Sequence, residues 1–342
     1  MQTLLAMCLL APAFLIGQPY ATGLNFDDAA YEELPITANL MSRDYSLLPR
    51  SYSLKAFAPT PGSQGTTGTC TAWATAYHAR TILEAVKLGL TDRSDIDEHA
   101  FSVSYVYNQI RDGSGCDEGT WIWDALNLMQ TRGVPRAADF GFSCDRPVSD
   151  ADHRLAREFR IEGYKRLHST QEQDKITPIK KCLTQDKPVV FCMHLPPSFY
   201  EARERWEPAG FEKREPQAFG GHAMVIVGYD DSRDGGSFEV MNSWGTERWG
   251  NRGFTWVRYE DYALFARYAF ELIEGVKPGM NEVVLNAPDL GGDFSLALAN
   301  GGEMQVRYDT QAGMYRSRQG YPSGTLFQLV IGNKQPAYVY AF

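Results

Sequence analysis

At 342 residues, with 44% hydrophobic and 13% aromatic content, the chain is long enough for about two domains of roughly 150 residues each. It is too rich in large apolar groups to be a wholly disordered polymer. Its formal charge of -9, from 33 basic against 42 acidic residues, leaves no polybasic surface and argues against nucleic acid as a partner.

The apolar run Leu4 to Gly17 is too short to cross a membrane comfortably as a helix and fits the core of a signal peptide, so residues 1–21 are expected to be removed after Ala21. Met1-Gln2-Thr3 departs from that pattern by lacking Lys or Arg. Export (periplasmic or secreted) follows, with no membrane span once the signal is gone, because no later run reaches the roughly 18 apolar residues a span needs. Residues 22–47 are acidic and weakly patterned, which suits a short pro-segment or a strand that wraps the domain. Ala58 to Gly65 is a Pro- and Gly-rich loop, and Thr71 to Val86 is helical by its Ala72, Ala76, Ala79 and Leu83 spacing, with Gly89 as its stop. Helices are also predicted over Val103 to Arg111 and Thr120 to Arg132. Short strands follow at Pro188 to His194, Ala223 to Tyr229, Ser237 to Asn242 and Gly253 to Arg258. Helices first and sheet later is the order of an α+β protein with two packed lobes, and the cleft between such lobes is a natural site. A boundary near Gly275 to Gly279 sets off 280–342, where Met304, Val306 and Tyr308 alternate, Leu326 to Ile331 is apolar, Gly332-Asn333 is a turn and Tyr338 to Phe342 ends the chain as a strand. This tail is a small β-rich module, possible as an incomplete one, with no cysteine or histidine to react and a binding or tethering role toward an unidentified partner.

Chemistry concentrates at three places. Gln64-Gly65-Thr66-Thr67-Gly68-Thr69-Cys70 runs into a helix, and a thiol at a helix N-terminus sits where unsatisfied N–H groups and the dipole favour the thiolate. Gln64 and the Cys70 N–H form a pair of donors suited to an oxyanion. His222 opens the apolar strand after Gly220-Gly221, and Asn242-Ser243-Trp244-Gly245 closes the next one; if the two strands pair antiparallel, Asn242 can fix the His222 tautomer under the Trp244 indole. Removal of Cys8 with the signal leaves Cys70, Cys116, Cys144, Cys182 and Cys192, an odd number that reserves one free thiol. Cys182, Cys192 and His194 fit no standard zinc spacing, so neither a metal nor an organic cofactor is expected.

Together these segments resemble the papain-like cysteine peptidases. Gln64 precedes Cys70 by six positions, His222 and Asn242 follow it by about 150 and 170 residues, near the separation that family shows, and Asn242-Ser243-Trp244-Gly245 leads into Trp249-Gly250 and Gly253-Phe254. The resemblance covers Leu48 to Glu274 and implies a two-lobed catalytic domain over 48–279, one lobe helical and the other β-barrel-like. It implies Cys70 as nucleophile, His222 as proton shuttle, Asn242 as its orienter and Gln64 as oxyanion donor. Gly115-Cys116-Asp117-Glu118-Gly119 is similar to the family loop that binds the substrate backbone, which makes Gly119 a contact; Gly221 and Trp244 complete the substrate-binding candidates. The chain departs from the family at Thr67 and Thr71, where a cysteine and a tryptophan usually stand. It also has only a short segment in place of the long pro-domain, as in a divergent bacterial-type branch. Thr67 removes the usual disulfide to Cys116. Cys116 and Cys144, which flank one predicted helix, are expected to pair instead, with Cys182–Cys192 as a weaker second pair. The function implied is an exported thiol endopeptidase acting on proteins or peptides through a thioester. A transamidase or deamidase on the same thiol is the alternative within enzymology. An inactive peptide- or polysaccharide-binding scaffold is the alternative outside it, disfavoured because Gln64, Cys70, His222 and Asn242 are all intact.

Overall fold

The computed structural model describes residues 21–36, 48–274, 292–298, 301–309 and 314–333. Two compact units divide the chain, Met1–Gly275 and Val276–Phe342. The first signal-peptide residues and the expected strand Tyr338 to Phe342 lie outside the described residues.

In the first unit the helical part centres on one helix, continuous through Cys70–Ala72, Trp73–Arg80 and Thr81–Leu88, the middle of which is widened to a π-helix. Its alanines face the core, and it stops where predicted, at Gly89, whose left-handed φ of 67° lets its N–H reach the Ala85 and Val86 carbonyls. Val103–Ile110 and Ile122–Thr131 are the two further predicted helices. The sheet has seven strands: β1 (Ser51–Ser53), β2 (Ile161–Arg166), β3 (Val189–His194), β4 (Gly221–Asp230), β5 (Ser237–Met241), β6 (Phe254–Arg258) and β7 (Ala266–Glu274). Their order is β2-β7-β3-β4-β5-β6, with β1 beside β4 and every neighbouring pair antiparallel. The unbroken apolar runs β3 and β4 occupy the buried centre, as their lack of polar alternation demands. Arg80 joins the central helix to the sheet by pairing with Glu84 at 3.2 Å and with Glu274, at the end of β7, at 2.5 Å. Arg136 reaches the same Glu84 at 2.7 Å, so each of these buried charges has an opposite partner.

The acidic segment after residue 21 forms the helix α1 (Asp28–Glu32), started by Asp27, whose side chain accepts from the Ala30 N–H at 3.1 Å. Tyr31 is fully buried, stacks on Tyr268 with centroids 4.2 Å apart, and donates its hydroxyl to the His168 carbonyl at 2.6 Å. Glu32 accepts from the Thr170 N–H and hydroxyl at 2.7 and 2.9 Å and pairs with Arg166. Burial raises the Glu32 pKa, but the Thr170 and Arg166 contacts outweigh it and hold the carboxyl below its ordinary 4.5. A carboxyl depressed on folding contributes stability that is present above its unfolded value and lost as pH falls through its folded one. Glu32→Gln should therefore lower Tm at pH 7 by about 2–4 °C, the equivalent of about 1 kcal/mol in a unit of this size. The gap should close below about pH 4. An equal deficit at pH 3 and pH 7 in thermal melts would assign the effect to packing alone.

In the second unit, Phe327–Asn333 pairs antiparallel with Gly292–Leu298, which also carries Glu303–Met304, while Val306–Asp309 and Met314–Ser317 form a separate hairpin. The expected Gly332-Asn333 turn is a correction. Both residues continue the last strand opposite Asp293 and Gly292, because the ladder already running from Phe327 overrides their turn preference.

Candidate active site

Cys70 begins the central helix and is fully buried, at the face where β4 starts. Burial raises the thiol pKa. His222 is the second residue of β4, opposite Met193 of β3. Asn242 directly follows β5, and because β4 and β5 run antiparallel it returns to His222: Nε2 and Asn242 Oδ1 are 2.8 Å apart. That Oδ1 also accepts the Ser243 N–H at 2.7 Å, so it is the oxygen, and His222 Nε2 must be the nitrogen that carries the proton. Nδ1 keeps its lone pair and has no hydrogen-bond partner among the described residues. Burial lowers the His222 pKa to about 4, with the Asn242 bond acting in the opposite direction. At neutral pH in this conformation the thiol and the imidazole are therefore both uncharged.

Trp244 lies over the imidazole with ring centroids 5.0 Å apart. Tyr200 stacks on its other side at 4.9 Å, and Trp249 meets it edge-on at 5.4 Å. The long connection between β3 and β4 therefore packs behind the indole, where Trp206 is also buried, and keeps water from the His222–Asn242 bond. Gln64 is held from the same side. Its Oε1 accepts the Ser243 hydroxyl at 2.6 Å, its N–H reaches the Ser243 carbonyl at 2.8 Å, and its Nε2 donates to the Thr67 and Ala21 carbonyls at 2.8 and 2.9 Å.

The Ala21 contact belongs to a strap, Ala21 to Phe26, that crosses the cleft, a path that the expectation of a pro-segment or wrapping strand over 22–47 does not specify. Leu24 pairs with Gly221 on one wall and with Thr120 on the other. Its N–H reaches the Gly221 carbonyl at 3.3 Å, the Thr120 N–H reaches the Gly23 carbonyl at 2.8 Å, and the Asn25 N–H reaches the Thr120 carbonyl at 3.0 Å. Both expected backbone contacts are engaged by this strap: a side chain at Gly119 would run into Asn25, and one at Gly221 would run into Leu24 and Phe26. The Phe26 ring fills the space between His194 and Tyr268, at 4.3 and 5.2 Å.

Cys116 and Cys144 form a disulfide with Cα atoms 5.7 Å apart, and Gly68 N–H donates to the Cys116 carbonyl, so the bridge steadies the loop beside the Cys70 helix. The second pair is a correction: Cys182 and Cys192 are both free and buried. Cys182 faces the Lys187 carbonyl at the end of its own helix, whereas Cys192 lies in β3 opposite Ala223. Of the remaining histidines, His78 and His168 are buried in the core.

Residues 56–267 match the family model for papain family cysteine proteases. A cysteine protease of Blomia tropicalis is 24% identical over 243 residues, covering 69% of this chain and 68% of that protein. An uncharacterised peptidase C1-like protein of Acanthamoeba polyphaga mimivirus is 24% identical over 261 residues, 69% and 77% of the two chains. Among solved structures, xylellain, a cysteine protease from Xylella fastidiosa, superposes with a TM-score of 0.61 at 21% identity over 76% of this chain and 97% of its own. Bromelain from Ananas comosus gives 0.52 at 18% identity over 66% and 100%. With the family match spanning more than half of its length, and with a fold similar to that of these structures, the chain belongs to the papain family of cysteine proteases.

Proposed function

We propose that the protein is an exported thiol endopeptidase in which Cys70, His222, Asn242 and Gln64 carry the reaction. His222 Nδ1 takes the Cys70 proton, and the thiolate attacks the substrate carbonyl carbon. The resulting oxyanion is held by the Cys70 N–H and Gln64 Nε2. The imidazolium then gives its proton to the departing amine as the C–N bond breaks, leaving a thioester. Water, deprotonated by His222, attacks the thioester and releases the carboxylate and the thiol. The observation that carries this reading is the doubly accepting Asn242 oxygen, which leaves Nδ1 of a buried histidine as the available base. Gly119 and Gly221 then bind the substrate backbone in place of the strap.

Export is supported by the apolar leader Leu4 to Gly17 and by the disulfide, which belongs to an oxidising compartment. Among the described residues no helix is long and apolar enough to cross a membrane. A partner for the module 280–342 is suggested by its exposed Tyr315, Leu326, Phe327 and Val330. Reaction with a thiol-directed epoxide peptide mimic, followed by mass-spectrometric mapping, should label Cys70; label on Cys182 or Cys192 instead would overturn the assignment. Gln64→Ala should reduce kcat by about 10²–10³, the usual effect of removing one oxyanion donor. A loss confined to KM would contradict that role.

A further inference from the structure

The strap and the helix that follows it are held in different ways. Residues 22–26 touch both walls of the cleft, largely through backbone hydrogen bonds to Thr120 and Gly221 and through the Asn25 side chain to Asp112. From Asp28 on, all of the anchoring is to the sheet lobe. Asp28 pairs with Arg267 and accepts the Tyr268 hydroxyl at 3.0 Å, Tyr31 is part of the hydrophobic core, and Arg166 donates to the Glu32 and Leu34 carbonyls, each at 2.9 Å. The Arg166 N–H takes the Pro35 carbonyl at 2.9 Å. Asp27, extended at φ -142° and ψ 99°, stands between the two parts and fixes the start of α1 through its side chain.

We infer that residues 22–26 are a resident gate that swings out on Asp27 while Asp28 to Ile36 stay in place as part of the enzyme, so that the cleft opens without excision of the segment. Excision would strip the core of Tyr31 and leave Arg166, Thr170 and Arg267 without their partners, whereas opening exchanges backbone bonds that a substrate makes again. The gate competes with substrate for the same backbone groups, namely the Gly221 carbonyl and the N–H and carbonyl of Thr120. Gly23 is its weak point: its α-carbon passes so close to the Gly68 carbonyl that any side chain there would collide with backbone. A Gly23 substitution therefore shifts the closed–open equilibrium without touching the anchor.

This gate rests on the reading of Cys70 as nucleophile, and the test separates the two. In the chain beginning at residue 22, Gly23→Ala should raise the rate of Cys70 labelling by the epoxide peptide at least about tenfold, at an intact mass that retains residues 22–36. Phe26→Ala, which removes the ring between His194 and Tyr268 and introduces no clash, should act in the same direction to a smaller extent. Amide exchange on the same proteins should show Leu24 and Asn25 losing protection while Tyr31 and Glu32 keep theirs. If that exchange pattern appears and Cys70 never labels, the gate stands and the nucleophile is wrong. If 22–36 lose protection together, or if labelling occurs only on chains from which they have been cut away, the gate is wrong even where labelling is fast.

Discussion

Cys70→Ala is expected to lower peptide hydrolysis by at least about 10⁴-fold and to abolish epoxide labelling, while the melting temperature moves by only about 2–4 °C. The activity loss is large because Cys70 is the proposed nucleophile, whereas Cys182 faces the Lys187 carbonyl at the end of its own helix and Cys192 is enclosed within the central strand β3. The stability change is small because one sulfur atom is removed from a helix start whose backbone bonds, such as Trp73 N–H to the Thr69 carbonyl at 3.0 Å, do not depend on it. Steady-state hydrolysis of a peptide substrate, measured beside a thermal melt, checks both parts. Turnover at the wild-type rate by a folded variant would remove Cys70 from the mechanism.

That Cys70 could be singled out from the sequence follows from how local its signal is. A glycine-rich loop, a thiol and an alanine-periodic helix lie within some twenty residues, and Gly89 closes that helix by the left-handed turn only glycine adopts readily. His222 and Asn242 were legible for a similar reason, each sitting at the end of an apolar run that could only be a buried strand. The edge of the sheet was less so. β2 reads Ile-Glu-Gly-Tyr-Lys-Arg, with a polar and half-exposed second part, and it becomes a strand because β7 offers it a ladder from Glu274 back to Phe270. The segment after residue 21 suggested a pro-segment or a wrapping strand, but nothing local fixed the path of the strap. Gly23, Leu24 and Asn25 take their conformation from Gly68, Thr120 and Gly221, which lie far along the chain, and no periodicity within six residues can encode such partners. The same holds for Ser243, whose hydroxyl fixes Gln64, and for Tyr200 behind Trp244: both are positioned by tertiary contacts between segments that share no motif.

His222→Ala is expected to abolish hydrolysis to a similar degree and, in addition, to slow the labelling of Cys70 at neutral pH. The second effect follows from the charge state of the pair. With the strap seated, burial holds His222 near 4 and pushes the Cys70 thiol upward, so at pH 7 neither is ionised. Once the cleft opens, water relieves the desolvation that is the first cause of both shifts. The thiol proton can then pass to Nδ1, and the imidazolium stabilises the thiolate beside it. Asn242 supports that transfer because its oxygen stays bonded to the Nε2 proton in either charge state. Without the imidazole, the thiol must ionise on its own, and labelling should rise only as pH climbs into the alkaline thiol range. Wild-type labelling, by contrast, should already be substantial at pH 7 and should fall as pH drops and the pair gains a proton. Rates of Cys70 modification from pH 5 to 9, with each protein carrying Gly23→Ala so that strap opening does not limit either, would measure this directly. Identical profiles with and without His222 would mean that the two residues do not exchange a proton, and the thiolate would then have to be stabilised by the helix N-terminus alone.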